Sequence, residues 1–228
     1  MFLPEKIIYL YYLINIMQKA KQILIDYWIS HKIITNKFII DAFKKVKRED
    51  FVLKEFKSDA YKDVPLPIQK EQTISQPTTV MMMLDFLELK PGMKVLEIGT
   101  GSGYNAALMA EIVGPKGKVF TTETIEELVE FAKKNLKKAR INNVKVIHTD
   151  GSKGWPTAAP YDRIICTAAA PKIPEVYINQ LKEGGIIVIP VGPLYGQVMV
   201  KGIKKKGKLE TQRLGDFMFV PLTGKFGQ

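Results

Sequence analysis

Val95-Leu96-Glu97-Ile98-Gly99-Thr100-Gly101-Ser102-Gly103-Tyr104 is an apolar run ending in three alternating glycines, the pattern of a buried strand that turns into a ligand-binding loop and then a helix. Glycines at 99, 101 and 103 permit a tight turn, let the backbone approach a ligand without a Cβ in between, and present amides at the start of the next helix. A dinucleotide loop carries glycine or alanine three places after its second glycine, but Tyr104 stands there, so a pyrophosphate site is disfavoured. A Walker phosphate loop is disfavoured as well, since no Gly-Lys-Ser/Thr follows. What remains is a compact loop around a nucleoside without a phosphate, with Glu97 near its base. A tight strand-to-helix turn with no ligand is the plainer alternative.

Spacing further along favours the ligand. Val119-Phe120-Thr121-Thr122 reads as a second strand ending in Glu123, about 20 residues beyond the loop, where an acid can accept both hydroxyls of a ribose. Thr124 and Glu127 spell a capping box ahead of Ile125, Leu128, Ala132, Leu136 and Ala139, which predicts a helix directly after the acid. A third strand over residues 144–149 ends in Asp150-Gly151, either a simple turn or a carboxylate near an adenine amino group. The glycine loop resembles the first motif of class I S-adenosylmethionine-dependent methyltransferases.

The chain has 228 residues, 46% hydrophobic and 25% charged, enough to bury one sizeable core and ordinary for a folded enzyme domain. Cys166 is the single cysteine and lies in the apolar run Arg163-Ile164-Ile165-Cys166. It excludes an internal disulfide, fits a small core residue and points to a reducing, cytoplasmic setting. Abundant lysine, glutamate and isoleucine lean towards a thermophile. The net charge of +11 would suit a nucleic-acid partner, and its densest cluster is Lys201, Lys204, Lys205, Lys206 and Lys208. With Gly202 and Gly207 interleaved, the cluster reads as a strand entering a solvated hairpin turn, because the other lysines are spread over many helices. A nucleic-acid partner is therefore not expected.

The opening stretch contains Ile7-Ile8-Tyr9-Leu10-Tyr11-Tyr12-Leu13-Ile14. It is shorter than the ~20 apolar residues of a membrane span and lacks a small-residue cleavage site. Residues 1–17 therefore read as an apolar extension, either a packing or subunit-interface element or a leader ahead of a true start at Met17. Residues 18–56 read as mainly helical, with apolar spacing at Ile23, Tyr27 and Ile29 and again at Phe38, Ile39, Ala42, Phe43 and Val46. Val64-Pro65-Leu66-Pro67 breaks the pattern and opens an extended passage to Thr73-Ile74-Ser75-Gln76-Pro77, with a helix expected over residues 80–89. Met81, Met82 and Met83 read as core fillers. Ser75 alone would read as a helix N-cap ahead of Pro77.

Several segments together carry a sharper resemblance. Thr73-Ile74-Ser75-Gln76-Pro77, then Leu89-Lys90-Pro91-Gly92 leading into the glycine loop, is similar to protein-L-isoaspartate O-methyltransferases. Asp150-Gly151-Ser152-Lys153-Gly154, Thr167-Ala168-Ala169-Ala170-Pro171, Ile189-Pro190-Val191-Gly192 and Val220-Pro221-Leu222-Thr223 resemble later segments of that family. The likeness covers about residues 17–228.

The resemblance implies a doubly wound α/β, Rossmann-like methyltransferase sheet with an N-terminal helical cap and a C-terminal strand pair. It makes residues 18–228 one domain, with 18–75 as cap and substrate-site segment and 76–228 as cofactor-binding core. The reaction it implies moves a methyl group from S-adenosyl-L-methionine to the free α-carboxylate of L-isoaspartyl residues in damaged proteins. S-adenosyl-L-homocysteine is the product and no metal is needed. Ser75 becomes the catalytic hydroxyl. Thr73, Glu97, Gly99, Thr100, Gly101, Ser102, Gly103, Glu123, Asp150 and Gly151 become cofactor contacts, followed by Thr223 and Gln228. Thr78-Thr79-Val80 stands where many members carry a histidine-containing sequence, so a cofactor contact from that histidine does not carry over.

Two other readings compete. A tRNA adenosine methyltransferase would share the fold, but an exocyclic-amine methylase typically shows an Asp/Asn-Pro-Pro-aromatic loop where Cys166-Thr167-Ala168-Ala169-Ala170-Pro171 stands. A cofactor-binding assembly protein acting through its leader would bind the nucleoside without turnover.

Overall fold

A computed structural model of the protein describes residues 5–227. Gln228 lies outside the described residues, as do residues 1–4 of the extension. The first helix, α1 (Glu5–Ser30), runs through residue 17 without a break, in keeping with the lack of glycine and proline along it. It is followed by α2 (Lys37–Lys45), whose N-cap Asn36 accepts from the Phe38 amide, and by two 3₁₀ turns, Arg48–Asp50 and Lys54–Asp59.

The buried side of α1 differs from the one its apolar spacing suggests. Ile23, Tyr27 and Ile29 are exposed, whereas Lys21, Leu24, Ile25 and Trp28 face the core. Their i, i+3, i+4, i+7 spacing is a helical stripe, masked in sequence because a lysine opens it. Lys21 Nζ donates to the Lys44 carbonyl at 2.7 Å and lies over the Phe43 and Tyr61 rings, so a buried ammonium is satisfied without a carboxylate. Phe38 also points outward.

Two short antiparallel strands, β1 (Leu66–Pro67) and β2 (Thr73–Ile74), lead to α3 (Pro77–Leu87). Ser75 does not cap this helix: Gln76 occupies the N-cap and makes no side-chain cap bond. The cap comes instead from Asp63, whose carboxylate accepts from the Thr78 amide at 2.9 Å and the Thr78 hydroxyl at 2.7 Å, while Trp28 Nε1 donates to that hydroxyl at 2.7 Å. Thr78 thus ties α1 to α3. Asp63→Ala is expected to lower unfolding free energy by about 1–3 kcal/mol, because a buried hydroxyl and a helix-end amide lose their acceptor. Thermal denaturation checks this, and an unchanged Tm would remove the cap assignment.

The remaining elements alternate. They are β3 (Lys94–Ile98), α4 (Tyr104–Val113), β4 (Lys118–Glu123), α5 (Glu126–Lys138), β5 (Val144–His148), β6 (Tyr161–Cys166), α6 (Glu175–Gln180), β7 (Leu181–Val191), β8 (Gln197–Lys205) and β9 (Lys208–Phe217). They build one seven-stranded sheet in the order β5-β4-β3-β6-β7-β8-β9, parallel through β7 and antiparallel over the last pair. The C-terminal strands therefore form a simple meander, an order the sequence left unsettled.

One sheet face carries Val95, Ile165, Ile186 and Val188 against α1 to α4, and the other carries Leu96, Ile98, Ile164 and Ile187 with Tyr161 and Tyr177. Cover on both faces explains why β3 reads as a continuous apolar run. Chain order reverses direction between β3 and β6, which opens a crevice at their carboxyl ends.

The capping box at Thr124 and Glu127 does not form. α5 starts after Ile125, with no side-chain cap bond from that residue, and Glu127 pairs with Lys70 instead. The Glu123 carboxylate accepts from the Thr124 and Ile125 amides at 2.9 and 3.2 Å, taking the donors that a threonine cap would have used. The lysine cluster is the expected hairpin, turning at Lys206 and Gly207, both with positive φ. Lys201 pairs with Glu88 and Lys205 with Glu210, while Lys204 donates to the carbonyls of Ile178 and Leu181.

Candidate active site

A cavity of about 530 Å³ opens at the carboxyl ends of β3, β4 and β6. Its floor is the glycine loop. The Gly99 and Thr100 amides donate to the Thr122 carbonyl at 3.0 and 3.1 Å, which folds the loop back over the neighbouring strand. Gly99 has φ +93°, and a Cβ there would lie 2.4 Å from Thr167 Oγ1. That hydroxyl donates to the Gly99 carbonyl at 2.8 Å, so glycine is required by both backbone and space.

Glu97, at the inner end of the cavity, is fully buried. Its carboxylate accepts from Asn105 Nδ2 at 2.8 Å and Thr121 Oγ1 at 2.6 Å, and Thr121 Oγ1 lies 2.7 Å from Thr100 Oγ1. Burial pushes the Glu97 carboxyl up to about 8, against the pull of those two donors and with a further upward contribution from Glu123. Glu123 stands at the end of β4 in the cavity wall, and its Oε2 accepts from the Gly101 amide at 3.0 Å. The acid expected near the ribose thus also clamps the glycine loop.

The opposite wall comes from far away in sequence. Thr73, Ile74 and Ser75 line it from β2 onward, and Val80 and Met83 from α3. Met83 is therefore cavity wall as well as core. The Ser75 carbonyl accepts from Arg48 Nη2 at 2.8 Å, and its hydroxyl has no hydrogen-bond partner among the described residues. The final segment reaches the cavity because the Ala169 amide donates to the Val220 carbonyl and the Leu222 amide to the Ala169 carbonyl, both at 2.8 Å, which brings in Pro221, Leu222 and Thr223.

A family model described as protein-L-isoaspartate(D-aspartate) O-methyltransferase matches residues 18–227. The chain belongs to that family.

Protein-L-isoaspartate O-methyltransferases of Ignicoccus hospitalis and Hyperthermus butylicus are 51% and 47% identical to it, over 90% and 92% of this chain and 98% and 91% of theirs. A solved protein-L-isoaspartate O-methyltransferase superposes with a TM-score of 0.83 at 33% identity, covering 92% of this chain and 67% of that one. A Plasmodium falciparum structure described as a protein-L-isoaspartate O-methyltransferase in complex with S-adenosyl-L-homocysteine superposes with a TM-score of 0.78 at 28% identity, over 90% and 98% of the two chains.

Within this family member, the structure gathers Thr73, Ser75, Glu97, Gly99, Thr100, Gly101, Ser102, Glu123, Gly151 and Thr223 around one cavity. Gly103 and Asp150 are not among its lining residues. A Cβ on Gly103 would meet Ala132 and Leu136 of α5 at 3.3 Å, so this glycine serves helix packing. Asp150 accepts from the Ser152 amide at 3.0 Å, the Ser152 hydroxyl at 2.6 Å and the Lys225 amide at 3.1 Å. Partial burial raises its pKa, but these donors and Lys153 outweigh that effect and hold the carboxyl below its usual range. Its carboxylate anchors the C-terminal segment.

Sequence reasoning missed Asn105, Tyr104 and Thr167 as cavity residues. Asn105 carried a usable signal: it follows the loop by two residues, in the first turn of α4, on the side that returns to β3. Asn105 Oδ1 is buried with no hydrogen-bond partner among the described residues. Beside the Glu97 carboxylate, this acceptor matches the cationic amino-acid end of S-adenosylmethionine.

The raised Glu97 carboxyl has a consequence for stability. The unfolded chain ionises this group above 4.5, whereas the folded apo protein holds its proton until about 8. Stability from this group is complete below pH 4.5 and is lost as pH rises to about 8. Glu97→Gln, which cannot ionise, is expected to flatten that part of the Tm-versus-pH curve, by a few kcal/mol across the window. Parallel curves for both proteins would show that Glu97 is ionised at neutral pH.

Proposed function

We propose that this protein transfers a methyl group from S-adenosyl-L-methionine to the free α-carboxylate of L-isoaspartyl residues in damaged proteins and peptides, starting their repair. The observation that carries the reading is the placement of the Ser75 hydroxyl, without an internal partner, on the wall facing the glycine loop, in a chain of this family.

When bound, S-adenosylmethionine supplies a methyl group already activated on a sulfonium sulfur. Glu97 and Asn105 would receive the amino-acid end, Glu123 the ribose, and Gly151 the adenine side. An acceptor α-carboxyl has a pKa of about 3.5 and is ionised at neutral pH, so no general base is required of the protein. Ser75 donates a hydrogen bond to one carboxylate oxygen and leaves the other to form the bond to carbon. The apolar wall of Val80, Met83 and Leu222 excludes water from the carboxylate, and positioning is the main catalytic contribution.

The tRNA reading is not favoured. Residues 168–170, which would have to open around a base, are buried and held by Val220, Leu222 and Pro190, and Lys201, Lys204 and Lys205 of the lysine cluster are engaged by neighbouring acids and carbonyls. With a cap over residues 18–75 and a core over 76–228, the cavity takes lining from both, Thr73, Ile74 and Ser75 from the first and the glycine loop with Val80 and Met83 from the second. Among the described residues no helix is long and apolar enough to cross a membrane, in keeping with a cytoplasmic role. Ile16, Ile23 and Tyr27 form an exposed apolar side of α1, which supports self-association there. Light scattering on proteins starting at Met1 and Met17 decides this, with identical monomeric masses counting against it.

The function itself is tested with radiolabelled S-adenosylmethionine and three acceptors: an L-isoaspartyl peptide, its L-aspartyl twin and bulk unmodified tRNA. Label confined to the isoaspartyl peptide and released by mild base, as a methyl ester is, supports the assignment; base-stable label in tRNA overturns it.

A further inference from the structure

Arg48 is fully buried in the first 3₁₀ turn. Burial lowers the pKa of this guanidinium from its ordinary very high value, yet it stays charged at neutral pH, and a charge taken out of water is costly unless an opposite charge meets it. Here none does. Nε donates to the Ala60 carbonyl at 2.7 Å and Nη2 to the Ser75 carbonyl at 2.8 Å, while Nη1 is buried without a hydrogen-bond partner. The acids nearby place their hydrogen bonds elsewhere while keeping their charge: Glu49 accepts from the Tyr61 hydroxyl at 2.6 Å, and Asp63 from Thr78. The guanidinium carbon lies 5.0 Å from the centre of the Tyr104 ring, and the buried Tyr104 hydroxyl acts on it as well.

Ser75 and Tyr104 both line the cavity. A cation with no carboxylate hydrogen-bonded to it therefore sits one side chain behind the wall that carries the acceptor-side hydroxyl. Lys21, the other buried cation of this region, has a different answer to burial, since its pKa falls to about 8 and it can shed its proton. An arginine has no such exit, so its charge persists and its field extends into the cavity.

We propose that Arg48 is the residue that selects an anionic methyl acceptor, drawing a carboxylate to Ser75 by its charge and positioning the Ser75 backbone through its Nη2 hydrogen bond. This rests on the proposed acceptor, and the field acts on any ligand carboxylate placed at the Ser75 hydroxyl. A neutral amide of the same shape loses the attraction and keeps the fit.

The test is peptide binding to protein loaded with S-adenosylhomocysteine, which needs no turnover. An L-isoaspartyl peptide and its α-carboxamide twin are titrated by calorimetry into wild type, Arg48→Gln and Arg48→Lys. Wild type is expected to prefer the carboxylate by about 10-fold or more, Arg48→Gln to lose that preference to within about 2-fold, and Arg48→Lys to retain most of it at pH 6 and lose it as the pH rises and the buried ammonium sheds its proton. Arg48→Lys is further expected to lose about 10-fold in kcat at little change in KM, since the hydrogen bond to the Ser75 carbonyl is lost. A carboxylate preference intact in Arg48→Gln, or lost in Arg48→Lys at pH 6, overturns the proposal and leaves the acceptor assignment standing. No preference in wild type overturns both. If Arg48→Gln does not fold, a carboxylate preference in Arg48→Lys that stays unchanged as the pH rises from 6 to 9 overturns the proposal.

Discussion

Ser75→Ala is expected to cut methyl transfer to an L-isoaspartyl peptide by about 10²-fold or more, the scale on which removing one transition-state hydrogen-bond donor acts, while S-adenosylmethionine affinity changes by about 2-fold at most. The split follows from where the side chain sits. Ser75 belongs to the wall built by β2 and the segment after it, whereas the cofactor-facing groups Glu97, Asn105 and Glu123 belong to β3, α4 and β4. The substitution removes a hydroxyl with no partner among the described residues and leaves the Ser75 carbonyl in its bond from Arg48. Stability should therefore hardly move. Single-turnover methylation and calorimetric titration separate the two quantities. Equal losses in both would make Ser75 a structural residue and return it to the helix-entry role its sequence position suggests.

Glu123→Ala is expected to weaken cofactor binding by about 10²-fold or more and to destabilise the apo protein by about 2–4 kcal/mol. One carboxylate here has two duties. Its oxygens accept from the amides of Gly101, Thr124 and Ile125, so removing them leaves a loop amide and two helix-start amides without an acceptor in a site where water is scarce. The same oxygens are the only carboxylate placed at the end of β4 to meet a ribose. Glu123→Gln keeps one acceptor oxygen and should fall between the two on both measurements. Titration calorimetry and thermal denaturation on the same preparations give both numbers. Wild-type affinity in Glu123→Ala would mean that the carboxylate serves the loop alone.

The division between legible and hidden features follows the range of the interactions. The strand, loop and helix from 95 to 113 could be read directly, because the apolar run, the glycines and the following helix are all local patterns. The hairpin at Lys206-Gly207 was legible for the same reason. The buried side of α1 was not, because Lys21 is there by virtue of the Lys44 carbonyl and two aromatic rings that sequence cannot place beside it. Nor was the cap of α3, which comes from Asp63, 15 residues upstream. Asp150 shows what local pattern leaves out: its position after the third strand was legible, whereas its hold on the C-terminal segment was not, because no local signal announces the return of that segment to β5.

By itself, the sequence determined that this chain forms an α/β methyltransferase-like domain with a nucleoside loop after β3 and an acid after β4, since strand burial, glycine conformations and spacing are encoded within a few residues of one another. Only the tertiary structure decided the rest. It set the meander order of β7, β8 and β9, the closing of the cavity by residues 220–223, the sharing of Glu123 between ligand and loop, and the placing of an unpaired arginine behind Ser75. Those features depend on hydrogen bonds and charges between groups tens of residues apart, and such groups meet only once the apolar faces of sheet and helices have packed.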